Sequence, residues 1–235
     1  MHAKSPHAPY HAGDAPAGSE ARLSESGPYP RTIAGDGRHE TEAKRSRFIC
    51  TLVRVADEGE AKTALDRIRR EFPDANHNCF AYILGERGER QKASDDGEPA
   101  GTAGVPILET IRRHDVVDVL AVVTRYFGGT KLGTGGLIRA YGQAVSGALE
   151  AVGIVERRPL EIVTVRVGYD DAGRIERLLR GSPHPPATID YGAEATFVLH
   201  LAPEDVPPFR DWLAEISAGA LAPEVTGSAV VDVPV

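Results

Sequence analysis

Apolar and polar positions alternate in patterns that divide the chain into strands and helices. Residues 46–55 (SRFICTLVRV) and 78–84 (NCFAYIL) are rich in β-branched and aromatic side chains, which predicts two strands. Between them, residues 57–72 carry apolar side chains at helical spacing, which predicts a helix stopped by Pro73. The run 116–124 (VVDVLAVVT) is almost continuously apolar and predicts a central strand.

Polar and glycine-rich segments flank this central strand. Residues 85–104 (GERGERQKASDDGEPAGTAG) are predicted to form a polar loop, and residues 105–113 a short helix with Pro106 in its first turn. Residues 135–152 show a longer helical pattern, which Gly153 ends as a C-cap would.

The last third of the chain has a regular order of elements. The pattern predicts a strand over 160–168, a helix over 171–181, a hairpin of 187–192 and 193–201, a helix over 204–216, and a strand over 228–235. This βαββαβ order is the split-βαβ, or ferredoxin-like, arrangement. We expect a hinge at Arg157–Pro159, because proline restricts the residue before it.

The fold class predicted from these patterns is α+β with two domains. Residues 1–30 are rich in Ala, Gly, Ser, Pro and His without periodicity, which predicts a disordered N-terminal arm. The first domain is predicted to span residues 31–158, and the ferredoxin-like domain residues 159–235.

Composition narrows the class of protein. The sequence has no run of about 18 apolar residues that could span a membrane and no apolar segment typical of a signal peptide. Its two cysteines, Cys50 and Cys79, cannot form a disulfide framework. We therefore expect a soluble cytoplasmic protein with no membrane partner.

The charge is distributed unevenly. Residues 160–235 hold five basic and twelve acidic side chains, which accounts for the whole net charge of −7. A polyanion such as nucleic acid would be repelled there, so it could use only basic patches on the first part of the chain.

One stretch, residues 124–142 (TRYFGGTKLGTGGLIRAYG), combines bare backbone with positive charge. Glycine lets a ligand approach the backbone, and the first N–H groups of a helix form a natural anion receptor, here with Thr134 as the expected cap. The predicted anion or nucleic-acid site consists of Arg125, Gly128, Gly129, Lys131, Gly133, Thr134, Gly135, Gly136 and Arg139. The alternative is that the glycines only turn the chain and the cations are solvated. Neither a Walker A loop nor a dinucleotide-binding fingerprint fits the stretch.

A second polar cluster lies in the loop before the short helix. It comprises Ser94, Asp95, Asp96, Gly97, Glu98, Gly101, Thr102 and Gly104, with His77 on the preceding strand. Asp95, Asp96 and Glu98 could bind Mg²⁺ as hard oxygen ligands, although an ordinary loop explains the same residues more simply. His77 and Cys79 lack the second pair that a zinc site needs. No cofactor is predicted.

Three runs, HNCFAYILG, SDDGEPAGTAGVPIL and VVTRYFGGTKLGTGGLIRAY, occur in this order and together resemble the signature of the IMPACT/YigZ family. The match covers residues 44–157, and the βαββαβ tail is similar to the second domain of bacterial YigZ-type members. The resemblance implies a first domain like ribosomal protein S5 domain 2 and elongation factor G domain IV, and a second like elongation factor G domain V. No catalytic residue is established for the family. The matched positions that would form a shared surface are His77, Ser94, Asp95, Gly97, Glu98, Arg125, Lys131 and Arg139.

The resemblance implies binding to RNA or to a ribosome-associated partner, with a role in translation regulation. Eukaryotic IMPACT proteins modulate an amino-acid-starvation pathway through an extra N-terminal interaction domain, which residues 1–30 are too short to form. Two alternatives stay open. The first is an enzyme acting on a phosphorylated small molecule or nucleotide, in which Asp95, Asp96 or Glu98 holds a metal or acts as a base. The second is a protein–protein adaptor without an anion site. We expect both glycine-rich loops to line one cleft, while the oligomeric state is left open.

Overall fold

The first domain is a five-stranded antiparallel sheet with helices on both faces. The computed structural model describes residues 29–235. In chain order the elements are β1 (Arg31–Ile33), β2 (Gly37–Ala43), β3 (Ser46–Arg54), α1 (Glu58–Glu71), β4 (His77–Leu84), β5 (Arg90–Ser94), α2 (Gly104–Arg113), β6 (Val119–Tyr126) and α3 (Thr134–Val152). The strand order of this sheet is β2-β3-β6-β4-β5, which places β6 at the centre as predicted.

The central strand is covered by helices on both sides. Leu120 and Val122 of β6 pack against α1, whereas Ala121 and Val123 pack on the opposite face, where α2 and α3 lie. Since successive side chains of a strand point to opposite faces, a strand buried on both faces needs an apolar residue at every position. This explains the uninterrupted apolar run in the sequence.

The second domain has the predicted βαββαβ order. Its elements are β7 (Ile154–Val167), α4 (Tyr169–Arg180), β8 (Thr188–Tyr191), β9 (Ala195–Leu201), α5 (Val206–Ile216) and β10 (Glu224–Pro234). Its sheet has five strands: β7, β9 and β8 lie side by side in this order, β10 pairs with one edge of β7, and β1 pairs with the beginning of the other edge. Every neighbouring pair is antiparallel. Val163, Phe197 and Leu199 from the sheet pack against Ile175 of α4 and Leu213 of α5. The ferredoxin-like prediction and the two-domain α+β class are confirmed.

The hinge expected at Arg157–Pro159 is wrong, because these residues lie inside β7. Arg157 is paired with Asp232 and Pro159 with Val230 of β10, which runs along one edge of β7. On the other edge, β1 pairs with residues 154–156 and β9 with residues 161–167. Pro159 therefore lies in the gap between β1 and β9 on this edge of β7, so its missing N–H removes no hydrogen bond between strands. Whether the domain boundary belongs at residue 158 stays a prediction.

Three strands were not predicted from the sequence pattern. β5 lies inside the predicted polar loop, and β2 and β1 have no predicted counterpart. Both β2 and β5 are edge strands with mainly polar, partly exposed side chains, so they lack the apolar alternation that marks a half-buried strand. The predicted N-terminal arm lies outside the described residues, except for Tyr29 and Pro30. No helix within residues 29–235 is long and apolar enough to cross a membrane.

Candidate functional site

The two glycine-rich loops come together in one cleft of the first domain, about 510 Å³ in volume. The cleft lies where β4 begins, where β6 ends, and where α3 begins. Its lining residues are Asn76, His77, Glu98, Pro99, Arg125, Phe127, Lys131, Leu132, Gly133, Thr134 and Leu137. Within residues 94–104, the cleft is lined by Glu98 and Pro99, while the rest of that loop lies behind them.

A buried ion pair joins the two loops. Arg125 Nη1 donates to Glu98 Oε1 at 2.5 Å, and the Tyr141 hydroxyl donates to the same oxygen at 2.7 Å. The side chains of Arg125 and Glu98 are only 7% and 4% exposed. Arg125 is therefore neutralised by Glu98, which corrects the prediction that it adds a free charge to an anion site.

Arg125 also has a buried donor without a protein partner within residues 29–235. Its guanidinium carbon lies 5.4 Å from the ring centroid of Phe48 and 5.7 Å from that of Phe127, in cation–π geometry. Arg125 Nε is buried and has no hydrogen-bond partner in the described part of the chain. A buried N–H without a partner is costly in free energy.

Behind the ion pair lie groups that stay protonated at neutral pH. Burial, reinforced by Cys79 and Glu98, raises the pKa of the Tyr141 hydroxyl above its usual range. Burial likewise raises the pKa of the Cys79 thiol to about 12, and this thiol donates to the carbonyl oxygen of Asp95 at 2.9 Å. His77 Nε2 lies 3.9 Å from Glu98 Oε2. Neither the thiol nor the phenol is thus prepared to act as a nucleophile.

Hydrogen bonds accepted by Asp95 and Asp96 hold the acidic loop, residues 94–104, in its conformation. Asp95 accepts the backbone N–H groups of Gly101 (2.8 Å), Ala103 (3.0 Å) and Gly104 (2.8 Å), and so caps α2 from a distance. Burial alone would raise the pKa of Asp95, but these three bonds outweigh it and hold the pKa below its usual value. Asp96 accepts Asn78 N at 2.7 Å and Arg69 Nη2 at 2.9 Å.

The other residues of this loop shape it. Ser94 Oγ accepts the N–H of Asp96, the Thr102 hydroxyl donates to the carbonyl of Pro99, Gly97 and Gly101 have positive φ, and Gly104 approaches the backbone of Ser94. All three carboxylates proposed for Mg²⁺ are thus engaged by protein donors. Across residues 29–235, no three His, Cys, Asp or Glu side chains form a group that could hold a metal ion.

The N-terminus of α3 opens into the cleft without a cap. Gly133 occupies the N-cap position, and Thr134, expected to cap the helix, is instead its first residue. No side chain in the described part of the chain accepts the first N–H groups of α3, and its first turn holds no acidic residue. In contrast, α1 is capped by Asp57, which accepts Glu60 N at 2.9 Å. The first N–H groups and the positive dipole end of α3 therefore face the cleft unpaired.

The glycines of the stretch serve different purposes. Gly133 has φ 75° and ψ 165°, a region open almost only to glycine, and a Cβ on Gly128 would collide with the backbone carbonyl of Arg45. Gly129 also has positive φ, and Gly136 packs closely against Leu132. The fold does not require glycine at residue 135. A Cβ at this position would have Arg139 Nη1, at 3.6 Å, as its nearest neighbour.

Arg139 and Lys131 place positive charge at the start of α3. Both are exposed, and the guanidinium of Arg139 reaches back over Gly135. Cations are unfavourable beside the positive end of a helix dipole, so their position does not serve helix stability.

The sequence-based site lacks the turn at Lys44–Arg45 and five residues that line the cleft, namely Asn76, Pro99, Phe127, Leu132 and Leu137. Phe127 is 47% exposed at the rim, and the turn at Lys44–Arg45 packs against Gly128. Phe127 could have been recognised from the sequence, because a large aromatic residue is unusual inside a glycine-rich loop. The turn is 83 residues away from this loop in sequence, so only the fold brings it there.

Most of the chain is similar to known protein families and proteins. A family model described as the Impact N-terminal domain matches residues 44–149, and a domain of unknown function, DUF1949, matches residues 165–220. IMPACT family member YvyE of Bacillus subtilis is 44% identical over 188 residues, covering 80% of this chain and 87% of that protein. IMPACT family member YigZ of Escherichia coli is 39% identical over 182 residues, covering 77% and 89%. A crystal structure described as that of a hypothetical protein is 36% identical, with a TM-score of 0.54, and covers 84% of this chain and 97% of that chain.

Proposed function

The chain belongs to the IMPACT family, and from this premise we propose that it binds RNA, free or within the ribosome, in a role in translation regulation. The observation that carries the proposal is the uncapped N-terminus of α3, which opens into the same cleft as Lys131 and the exposed ring of Phe127. The cleft thus offers one place for a phosphate and one for a base.

The phosphate position is supported by two kinds of group. The free N–H groups at the start of α3 form an anion receptor together with the helix dipole. Lys131 and Arg139 add full positive charges beside it.

The base position is supported by Phe127. Its ring is half exposed, and bases stack on aromatic rings without requiring a particular sequence. A volume of about 510 Å³ is within the range of sites for small ligands and is large enough for one nucleotide. The acidic excess of residues 160–235 directs a polyanion to the first domain.

An enzyme acting on a phosphorylated small molecule would share the phosphate position, but the cleft offers poor support for catalysis. Asp95, Asp96 and Glu98 accept hydrogen bonds from the protein itself, and the raised pKa values of Cys79 and Tyr141 keep both groups protonated. The geometry therefore favours binding over catalysis.

The test replaces Lys131 and Arg139 together with alanine. We expect the affinity for a labelled single-stranded RNA to fall, and the slope of log K against log salt to shrink by about 1.4, or about 0.7 for each lost phosphate contact. Fluorescence anisotropy at several salt concentrations measures both quantities. Arg125 is left intact, because removing one partner of a buried ion pair would destabilise the fold.

The matched control is Lys62→Ala with Arg67→Ala. Both residues are exposed on α1, on the opposite face of the sheet, so this variant loses the same charge away from the cleft. An RNA affinity equal in the parent and the cleft variant would contradict the proposal. Stabilisation of the parent by phosphorylated metabolites in a thermal-shift screen, without RNA binding, would favour the enzyme alternative. A parent that binds neither would favour the adaptor.

A further inference from the structure

The turn between β2 and β3 has an unexpected composition for its geometry. Ala43 pairs with Ser46, so the turn consists of two residues, Lys44 and Arg45, with φ of 47° and 68°. A two-residue turn with positive φ at both positions strongly prefers Asn-Gly, because other residues are strained there. The chain instead holds two cations in this conformation, and strained residues of this kind are concentrated at functional sites.

The turn is fixed against the glycine-rich loop of the cleft. The backbone of Arg45 contacts Gly128 so closely that no side chain fits at residue 128, and Gly128 N donates to Ser46 Oγ at 3.1 Å. The same loop carries Phe127 and Lys131, which line the cleft. Lys44 and Arg45 therefore lie beside the loop that forms this rim of the cleft.

The charge of the turn is free to act on a ligand. Lys44 and Arg45 are both exposed, and neither forms an ion pair with any residue between 29 and 235. Arg47, the next cation along β3, is paired with Glu40 at 2.9 Å. The remaining acidic neighbour on the hairpin is Glu42, which leaves the turn with a positive excess.

We propose that the Lys44–Arg45 turn extends the binding surface and holds the sugar–phosphate backbone of single-stranded RNA as it leaves the cleft across Gly128 and Gly129. This inference rests on the proposed function. Gly129 supports it, because no atom lies within 4 Å of the place where its side chain would begin. A single strand is required, since a base can reach Phe127 only when it is unstacked from its neighbours.

The test is the double variant Lys44→Asn with Arg45→Gly, which removes both charges and supplies the residues that the turn prefers. We expect a higher melting temperature together with weaker binding to a labelled single-stranded RNA of about ten nucleotides. The salt slope should shrink by about 1.4, as for two lost phosphate contacts. Binding of 5′-AMP, which occupies the cleft alone, should not change.

Controls separate this inference from the proposed function. If the turn variant binds RNA as the parent does while the Lys131 and Arg139 variant binds more weakly, the inference is wrong and the proposed function stands. If the parent binds no RNA, both are wrong. An equal loss in the Lys62 and Arg67 control, or equal competition by duplex RNA, would also overturn the inference. Should the turn variant melt at a lower temperature, Lys44→Gln with Arg45→Gln replaces it in the binding assay, with the same expected loss.

Discussion

The carboxylate of Asp95 fixes the loop before α2 at three backbone positions. One oxygen accepts the N–H groups of Ala103 and Gly104, and the other accepts that of Gly101. We predict that Asp95→Asn lowers the free energy of unfolding by about 2 kcal/mol, because the amide directs a donor at the N–H of Gly101 and loses the charge-assisted bonds. Urea unfolding measures the change. Asp74→Asn, at an exposed loop position, should change it by less than about 0.5 kcal/mol.

The pH dependence gives this prediction a second readout. The pKa of Asp95 is lower in the folded protein than its ordinary value of 3.8, so its contribution to stability is present above about pH 4. It is lost as the pH falls through the folded pKa, because the unfolded chain takes up the proton first. The parent should therefore lose more stability than Asp95→Asn between neutral pH and about pH 3. Parallel losses in the two proteins would contradict the role of this carboxylate.

At the scale of elements, α3 begins with a first turn that contributes little to its own stability, since it has no side-chain cap, no acidic residue and two glycines. We predict that Gly135→Ala stabilises the fold by up to about 1 kcal/mol, because the position is helical and has room for a Cβ. The same variant should bind RNA more weakly, since the methyl group covers backbone that a phosphate approaches. Thermal melts and anisotropy with the same preparation test the two effects.

Gly133→Ala is the matched comparison within the same loop. Its φ of 75° with ψ of 165° strains any other residue, so the substitution should destabilise the fold by about 1–3 kcal/mol. If Gly135→Ala proved as destabilising as Gly133→Ala, the bare backbone at residue 135 would be explained by the fold and not by a ligand.

The sequence predicted well those elements whose buried positions form an apolar pattern along their own stretch of chain. β6 and α3 carry apolar residues at nearly every position that the fold buries, so pattern alone located them. The polar edge strand β5 and the turn at Lys44–Arg45 left no such signal, because their positions are determined by pairing with distant residues. The contact between Glu98 and Arg125 agrees with the prediction that the two loops lie close together. The sequence could not show that the two charges neutralise each other, because residue spacing does not reveal that both side chains are buried.

At the scale of the whole molecule, β7 serves both domains. Residues 155–164 pair with β10 without a break at the expected hinge, and an ion pair between Arg54 and Asp232 links β3 to β10. We predict that the amides of β7 at residues 157–158 exchange hydrogen as slowly as those paired with β9. Hydrogen–deuterium exchange of the full chain tests this, with the exposed amides of Glu86 and Arg87, which donate no hydrogen bond within residues 29–235, as the fast-exchanging reference. Rapid exchange confined to residues 157–158 would restore the hinge.

The acidic excess of the second domain has a consequence before any contact forms. The charge of −7 on residues 160–235 sits on one domain, and the cations around the cleft sit on the other, so the molecule has a large electric dipole moment. Under the proposed function, the field of a long RNA exerts a torque on such a dipole and turns the first domain, which carries the cleft, toward the polyanion during diffusion. Productive collisions then occur more often than random orientation allows, and this advantage fades as salt screens the field over about 10 Å.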